Sequence, residues 1–270
     1  MVKTAVVVYF KGAHYKGLAQ SAFKSAKHFH ENEPNLNVFL LEDTDPSNPI
    51  PVGIKKLIAA YELATKGDYE KLIILGADTI TCHRLDEFLD DDTTDVLATL
   101  DYPYRIPLPI KGSDENNHVN ADVVCFNNLQ ALKQTIEIAI SGRGQNYFEQ
   151  GALNYLLFSE EYDFTHKIVD SPYPESKVAY NARAKGNITS QIGIVDFKPY
   201  ISKWRVDDNK LYTHDDCLIK LWHFCQGLGG GDAQSFNDKL SHFVSIFNED
   251  TIRFFKDNCT VNLLDICNEK

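Results

Sequence analysis

Asp78 closes the segment Lys71-Leu-Ile-Ile-Leu-Gly-Ala-Asp78, in which the apolar run 72–75 gives way at once to Gly76 and Ala77. A short apolar run after a helical stretch reads as a strand buried on both faces of an α/β sheet. Carboxylates just past the carboxyl end of such a strand stand where open α/β sheets bind ligands. A hard oxygen there suits a divalent cation bridging a nucleotide diphosphate. The ordinary alternative is that Asp78 caps the next turn or a helix over residues 84–89. His223 ends a late apolar run and precedes Gln226-Gly227-Leu228-Gly229-Gly230-Gly231. Backbone amides in such a turn can approach phosphate oxygens, whereas a histidine in an apolar run is more often a core residue and a glycine run a flexible link. Glu149 and Gln150 fall in the first turn of a helix whose apolar face begins at Leu153. They read either as a carboxylate at the positive end of the helix dipole, worth about 0.3–1 kcal/mol, or as a carboxylate–amide pair for sugar hydroxyls. Asn120 and Asp122 enter a buried strand after the polar loop 112–118, where they either bind a ligand hydroxyl or end the loop.

The elements that must position these groups follow from periodicity. Strands are expected at 5–10, 38–41, 71–75, 95–101 and 119–126, the second of them buried like the first. Helices are expected from residue 13 to 23, 54 to 64 with Gly67 as C-cap, 129 to 140 and 147 to 158. Strand and helix alternate to residue 160, which implies a mostly parallel sheet. Beyond it the pattern turns to hairpins: 203–212 folds about Asp207 to Asn209, and 219–224 is one more strand. The last forty residues are helical, with Phe236, Leu240, Phe243, Phe247, Ile252, Phe254 and Phe255 as the apolar set. One domain over 1–230 with a helical extension over 231–270 is the expected organisation.

At 270 residues, with 43% hydrophobic and 24% charged, the chain has ordinary globular composition. No apolar stretch approaches the roughly 18 residues of a membrane span, and residues 1–10 read as a strand, not a secretory leader. The six cysteines show no C-x-x-C pair and no zinc spacing, so free thiols in the cytoplasm are expected. A formal net charge of −11 argues against stable nucleic-acid binding. It also means that holding a phosphate ligand calls for a cation.

Motifs in order and in register over roughly residues 4–228 resemble the A-type fold of nucleotide-sugar glycosyltransferases, in particular the retaining family of glycogenin and the bacterial lipopolysaccharide galactosyltransferases. The matching pieces are Val8-Tyr9 with 15–21, Ile54-Lys-Lys-Leu57 to Tyr61, Tyr69 to Ile80, Asn120-Ala-Asp122, Glu149-Gln-Gly-Ala-Leu-Asn154 and His223-Phe-Cys-Gln-Gly227. The resemblance implies a Rossmann-like α/β fold, a mostly parallel sheet flanked by helices. It implies transfer of a sugar from a nucleotide-sugar donor, UDP favoured, to a glycan, protein or small-molecule hydroxyl. Asp78 and His223 would hold Mn²⁺ or Mg²⁺. Tyr9 would lie near the base and Lys56, or Lys55, near the diphosphate or sugar. Gly76, Ala77 and Gly227 would border the donor, with Asn120, Asp122 and the catalytic pair Glu149 and Gln150 lining the sugar pocket. The chain departs from the family at Gly76, where an Asp is usual, at Glu149, where the family has the shorter Asp, and after Gly227, where a lysine and a tryptophan are missing. The alternatives are a nucleotide-sugar-binding protein that has lost transfer, favoured by those departures, and a sugar-phosphate nucleotidyltransferase. The latter carries a Gly-rich, Arg-containing loop where this chain has Phe10-Lys-Gly-Ala-His-Tyr15.

Overall fold

The computed structural model describes residues 2–45, 47–101, 118–143, 148–170, 177–180, 202–214, 216–224, 240–241 and 244–268. In chain order the elements are β1 (Thr4–Phe10), α1 (Lys16–Phe29), β2 (Leu36–Glu42), α2 (Val52–Lys66), β3 (Lys71–Gly76), β4 (Thr79–Thr81), α3 (Asp86–Leu89), β5 (Val96–Leu100) and β6 (Val119–Phe126). There follow α4 (Leu129–Ile140), α5 (Phe148–Phe158), β7 (His166–Ile168), β8 (Val178–Ala179), β9 (Arg205–Asp207), β10 (Lys210–Tyr212), β11 (Leu218–Ile219), β12 (Leu221–His223), α6 (Glu249–Asn258) and α7 (Leu263–Asn268). Contacts divide the chain into two interleaved units. The first takes Met1–Lys11, Glu33–Gly76 and Leu85–Val169; the second takes Gly12–Asn32, Ala77–Arg84 and Asp170–Lys270.

The first unit is a six-stranded sheet in the order β2-β1-β3-β6-β5-β7. Only β6 runs against its neighbours; β1 pairs in parallel with β2 and β3, and β5 with β7. The sheet is therefore mostly parallel, as the strand–helix alternation requires. Ala5, Val7, Leu72 and Ile74 pack with the apolar faces of α2, α4 and α5 in one core. Val6, Val8, Ile73 and Leu75, on the opposite face, are equally buried. The β1 and β3 runs are thus apolar throughout because neither face meets water. The strand expected at 38–41 behaves differently: β2 is an edge strand and its residues are only half-buried or exposed.

Two local features depart from expectation for clear reasons. Gly67 does cap α2, yet its φ is −98°, and Asp68 takes the left-handed turn at φ 52°. Gly67 is needed for room instead, since a Cβ there would lie 2.4 Å from the Tyr69 ring. Midway through the β5–β6 ladder the register breaks: Ala98 faces Val124, but Thr99 faces Asn120 rather than Val123. Such a bulge re-aims the side chains beside it, here those of Asn120 and Asp122.

The second unit carries a four-stranded sheet, β8-β11-β10-β9, and the two-stranded ladder β12-β4. The expected hairpin at 203–212 forms, turning on Asp208 and Asn209, both at positive φ as a tight hairpin turn demands. The single strand expected at 219–224 is two, β11 and β12, which belong to different sheets. The C-terminal apolar residues are core residues: Leu240, Phe247, Phe254 and Phe255 are buried with Leu18, Ile80, Trp204 and Trp222, while Ile252 packs at the margin. Phe236 and Phe243 lie outside the described residues. No described helix is long and apolar enough to cross a membrane.

Lys71, the first residue of β3, is 1% exposed. Its Nζ donates to the carbonyls of Phe88, Leu89 and Asp91, each at 3.0 Å, and to Asp92 Oδ1 at 2.6 Å. A buried ammonium is tolerated because every proton finds an oxygen, and it sits where the last carbonyls of α3 need a donor. Replacing it with the similarly sized Lys71→Met leaves those carbonyls unpaired. The expected loss is about 2–3 kcal/mol of stability, read as a lower urea midpoint.

Candidate functional site

The chemistry-bearing side chains assemble into two groups, one in each unit. The group in the first unit is built on α2, β6 and α5. Lys55 and Lys56, adjacent on α2, point about 100° apart. Lys55 pairs with Asp43 Oδ2 at 3.1 Å and donates to the Asp45 carbonyl at 2.9 Å. Burial alone would raise the Asp43 carboxyl, but hydrogen bonding and charge from Lys55 hold it below its ordinary value. Lys56 turns instead to the bulge in β6, contacting Asp122 Oδ1 and the Ala121 carbonyl, the latter at 3.3 Å, with Glu149 Oε1 3.7 Å away.

On α5, Gln150 and Asn154 share a face because they are four residues apart. Asn154, fully buried, fixes the strand edge: its Oδ1 accepts from Val119 N–H and its Nδ2 donates to the Val119 carbonyl, both at 2.9 Å. Gln150 Nε2 donates to Asp101 Oδ2 at 2.8 Å and lies 3.1 Å from His118 Nε2, while its Oε1 accepts from Ala121 N–H at 3.4 Å. Asp101 Oδ1 accepts from Asn120 Nδ2 at 3.1 Å, and Asn120 Oδ1 accepts from Asp122 N–H at 2.7 Å. Burial lowers the His118 pKa despite the nearby Asp101 carboxylate. A neutral ring with Nε2 as acceptor fits the second proton of the Gln150 amide.

Lys56, Asn120, Asp122, Glu149 and Gln150, taken from three separate stretches of sequence, are therefore brought together. Asp101 and His118 belong with them and were not singled out from sequence. Asp101 carries the same signal as Asp78, a carboxylate just past a buried strand. Asp122 and Glu149 around the Lys56 ammonium, with Asp101 held beside them by Gln150, make a hydrogen-bond-accepting surface, suited to a neutral hydroxyl-bearing ligand. Asp122 and Glu149, with side chains 36% and 18% exposed, are the more accessible acids.

Tyr9 lies in a groove of about 750 Å³ whose lining includes Phe39, Asp43, Leu63 and Tyr69 and none of the Lys56 group. Burial, with the Asp43 charge, pushes its hydroxyl up to about 12. Gly76 ends β3 opposite Tyr9. The boundary between the units falls between Gly76 and Ala77.

The group in the second unit is Asp78 and His223. Strand β4 pairs antiparallel with β12, Thr79 opposite His223, and Phe224 N–H donates to the Asp78 carbonyl at 2.9 Å. This ladder brings His223 Nε2 to 3.1 Å from Asp78 Oδ1, the imidazole fully buried and the carboxylate partly open. Asp78 is thus no cap for α3, whose N-cap residue is Leu85 without a side-chain cap bond. Two donors at right angles on an ion with bonds of about 2.1 Å stand about 3.0 Å apart, so oxygen and nitrogen here fit two adjacent positions of a divalent cation. They supply no more than two. Among the described residues no group of three or more His, Cys, Asp or Glu could hold a metal. Gly227 and the turn 226–231 lie outside the described residues.

The sequence matches no family model and no curated protein. Solved structures do match. A glycosyltransferase involved in glycosylation of the major capsid of PBCV-1 aligns over 87% of this chain and 98% of its own, with a TM-score of 0.56 and 12% identity. The galactosyltransferase LgtC, in complex with donor and acceptor sugar analogues, aligns over 90% of this chain and 94% of its own, with a TM-score of 0.50 and 13% identity. At such identities the likeness is one of fold: this chain has the glycosyltransferase fold that its motifs resemble.

Burial pushes the Glu149 carboxyl above its ordinary value, Lys56 pulls it back, and Asp122 adds to the rise. A raised folded-state value contributes stability below the unfolded value and loses it as pH rises through the folded one. Glu149→Gln removes the titration while Lys56 keeps Asp122 and the Ala121 carbonyl. The variant should unfold at higher urea than wild type at pH 8, with the gain fading toward pH 4. An equal midpoint at both pH values would contradict the burial effect.

Proposed function

We propose that the protein is a glycosyltransferase that moves a sugar from a nucleoside-diphosphate sugar, most readily a UDP-sugar, to an acceptor hydroxyl. Retention of anomeric configuration is part of this reading, by the likeness of its motifs to the retaining family. The observation that carries it is the meeting of Asp78 with His223, 145 residues apart in sequence and 3.1 Å apart in space. A cation-holding pair explains how a chain of net charge −11 takes a diphosphate.

In this reading Asp78 Oδ1 and His223 Nε2 hold Mn²⁺ or Mg²⁺. When bound, the ion supplies positive charge against the departing diphosphate. Asp101, Asp122 and Glu149 accept hydrogen bonds from sugar hydroxyls, Gln150 and Asn120 fix the orientation of Asp101, and Lys56 keeps Asp122 and Glu149 from repelling each other. The buried thiols of Cys82, Cys125, Cys217 and Cys259 suit a reducing compartment such as the cytoplasm. A glycan, a protein or a small molecule can serve as acceptor.

Calorimetric titration with UDP should show binding that requires Mn²⁺ and disappears in both Asp78→Ala and His223→Ala. Undiminished binding in either variant would remove that residue from the metal site. Incubation with a panel of radiolabelled nucleotide-sugars should release labelled sugar to water or acceptor. Metal-dependent binding without turnover identifies instead a nucleotide-sugar-binding protein.

A further inference from the structure

Gly53 lies in the first turn of α2, and Lys56 lies one turn on along the same face. The Glu149 carboxyl occupies the place where a side chain at position 53 would be. An ideal Cβ on Gly53 would fall 1.9 Å from Glu149 Cδ, 1.9 Å from Oε1 and 2.0 Å from Oε2. Helical side chains lean toward the N-terminus, so Lys56 Nζ reaches back to the same carboxyl from the other side, at 3.7 Å. Helix α2 has no acid of its own in its first turn. The Glu149 carboxylate, from α5, is the negative charge that lies there, where the helix dipole favours it.

We infer that Gly53 is a positioning residue for the sugar site, matched in size to Glu149: the missing side chain is the space that sets where the carboxylate lies. This rests on the transferase reading above. The atoms nearest a methyl group at position 53 all belong to the end of a flexible side chain, so the backbone stays and the carboxyl retreats by about 1.5 Å, away from α2. Alanine is also the better helix former. A purely structural glycine would thus be improved by the change, whereas a positioning glycine loses function while stability holds or rises. Aspartate at 149 draws the carboxyl back by one carbon–carbon bond, about 1.5 Å, which is close to what the new methyl demands.

The test compares wild type, Gly53→Ala, Glu149→Asp and the double variant. Release of sugar from the best UDP-sugar should fall on the order of 100-fold in kcat/KM in Gly53→Ala, with an unchanged or higher melting temperature. The double variant should recover at least tenfold over Gly53→Ala. Activity within twofold of wild type in Gly53→Ala, or a double variant whose loss is the product of the two single losses, overturns the match. If wild type neither transfers nor hydrolyses any donor, the transferase reading fails by itself. The match is then decided by the same four proteins in urea: non-additive changes in stability uphold it, and additive ones overturn it.

Discussion

One ammonium group organises the polar interior of the first unit. Lys56 Nζ is nearly sealed from water, yet it faces two carboxylates and a backbone carbonyl. Its charge works against the repulsion between Asp122 and Glu149, since like charges in a poorly hydrated site push each other toward the neutral form. Burial, and after it the Asp122 charge, outweighs Lys56 and leaves the Glu149 pKa raised. An acid with a raised pKa in an accessible site is a common mark of function.

The backbone around that cation is shaped to serve it. The register break in β6 interrupts a ladder that is otherwise regular from Leu72 to Leu75 and from Val96 to Ala98. Breaking a buried ladder leaves main-chain groups to be satisfied elsewhere. Asn154 and Gln150 do this from α5, binding the main chain at Val119 and Ala121. A single helix therefore repairs the distorted strand and delivers the side chains that work beside it, which explains the need for amides at two positions a turn apart.

Much of this was legible from sequence and some of it was not. Helix 129–140 was readable to the residue from its apolar period, and in the structure the Asn128 side chain caps it by accepting from Gln130 N–H. β1, β3, β5 and β6 were readable because they are buried on both faces, whereas β7, short and largely exposed at the sheet edge, was missed. β2 resembled them in composition, but an edge position depends on which strands pair, and that is not encoded in the run itself. The division of 218–223 between two sheets was hidden for the same reason. Asp78 and His223 were paired from sequence through a likeness in motif order; their distance is a property of the β4–β12 ladder. Gly53 gave no sequence signal, since a glycine in a helix tells nothing of the acid lying against it. Glu149, the longer acid where the family pattern has Asp, departs from that pattern at the position that Gly53 leaves open.

The interleaving of the two units has a consequence for how the molecule is made. Leu18 and Ile80 emerge from the ribosome early, but the core they enter includes Trp204, Trp222, Phe247 and Phe255. Synthesis must run past Phe255 before those apolar residues find all of these partners. Until then they are exposed on a nascent chain, long after the strands of the first unit are available to pair. A chain cut short of Trp204 would leave Leu18 and Ile80 without Trp204, Trp222, Phe247 and Phe255, the aromatic part of the core they enter.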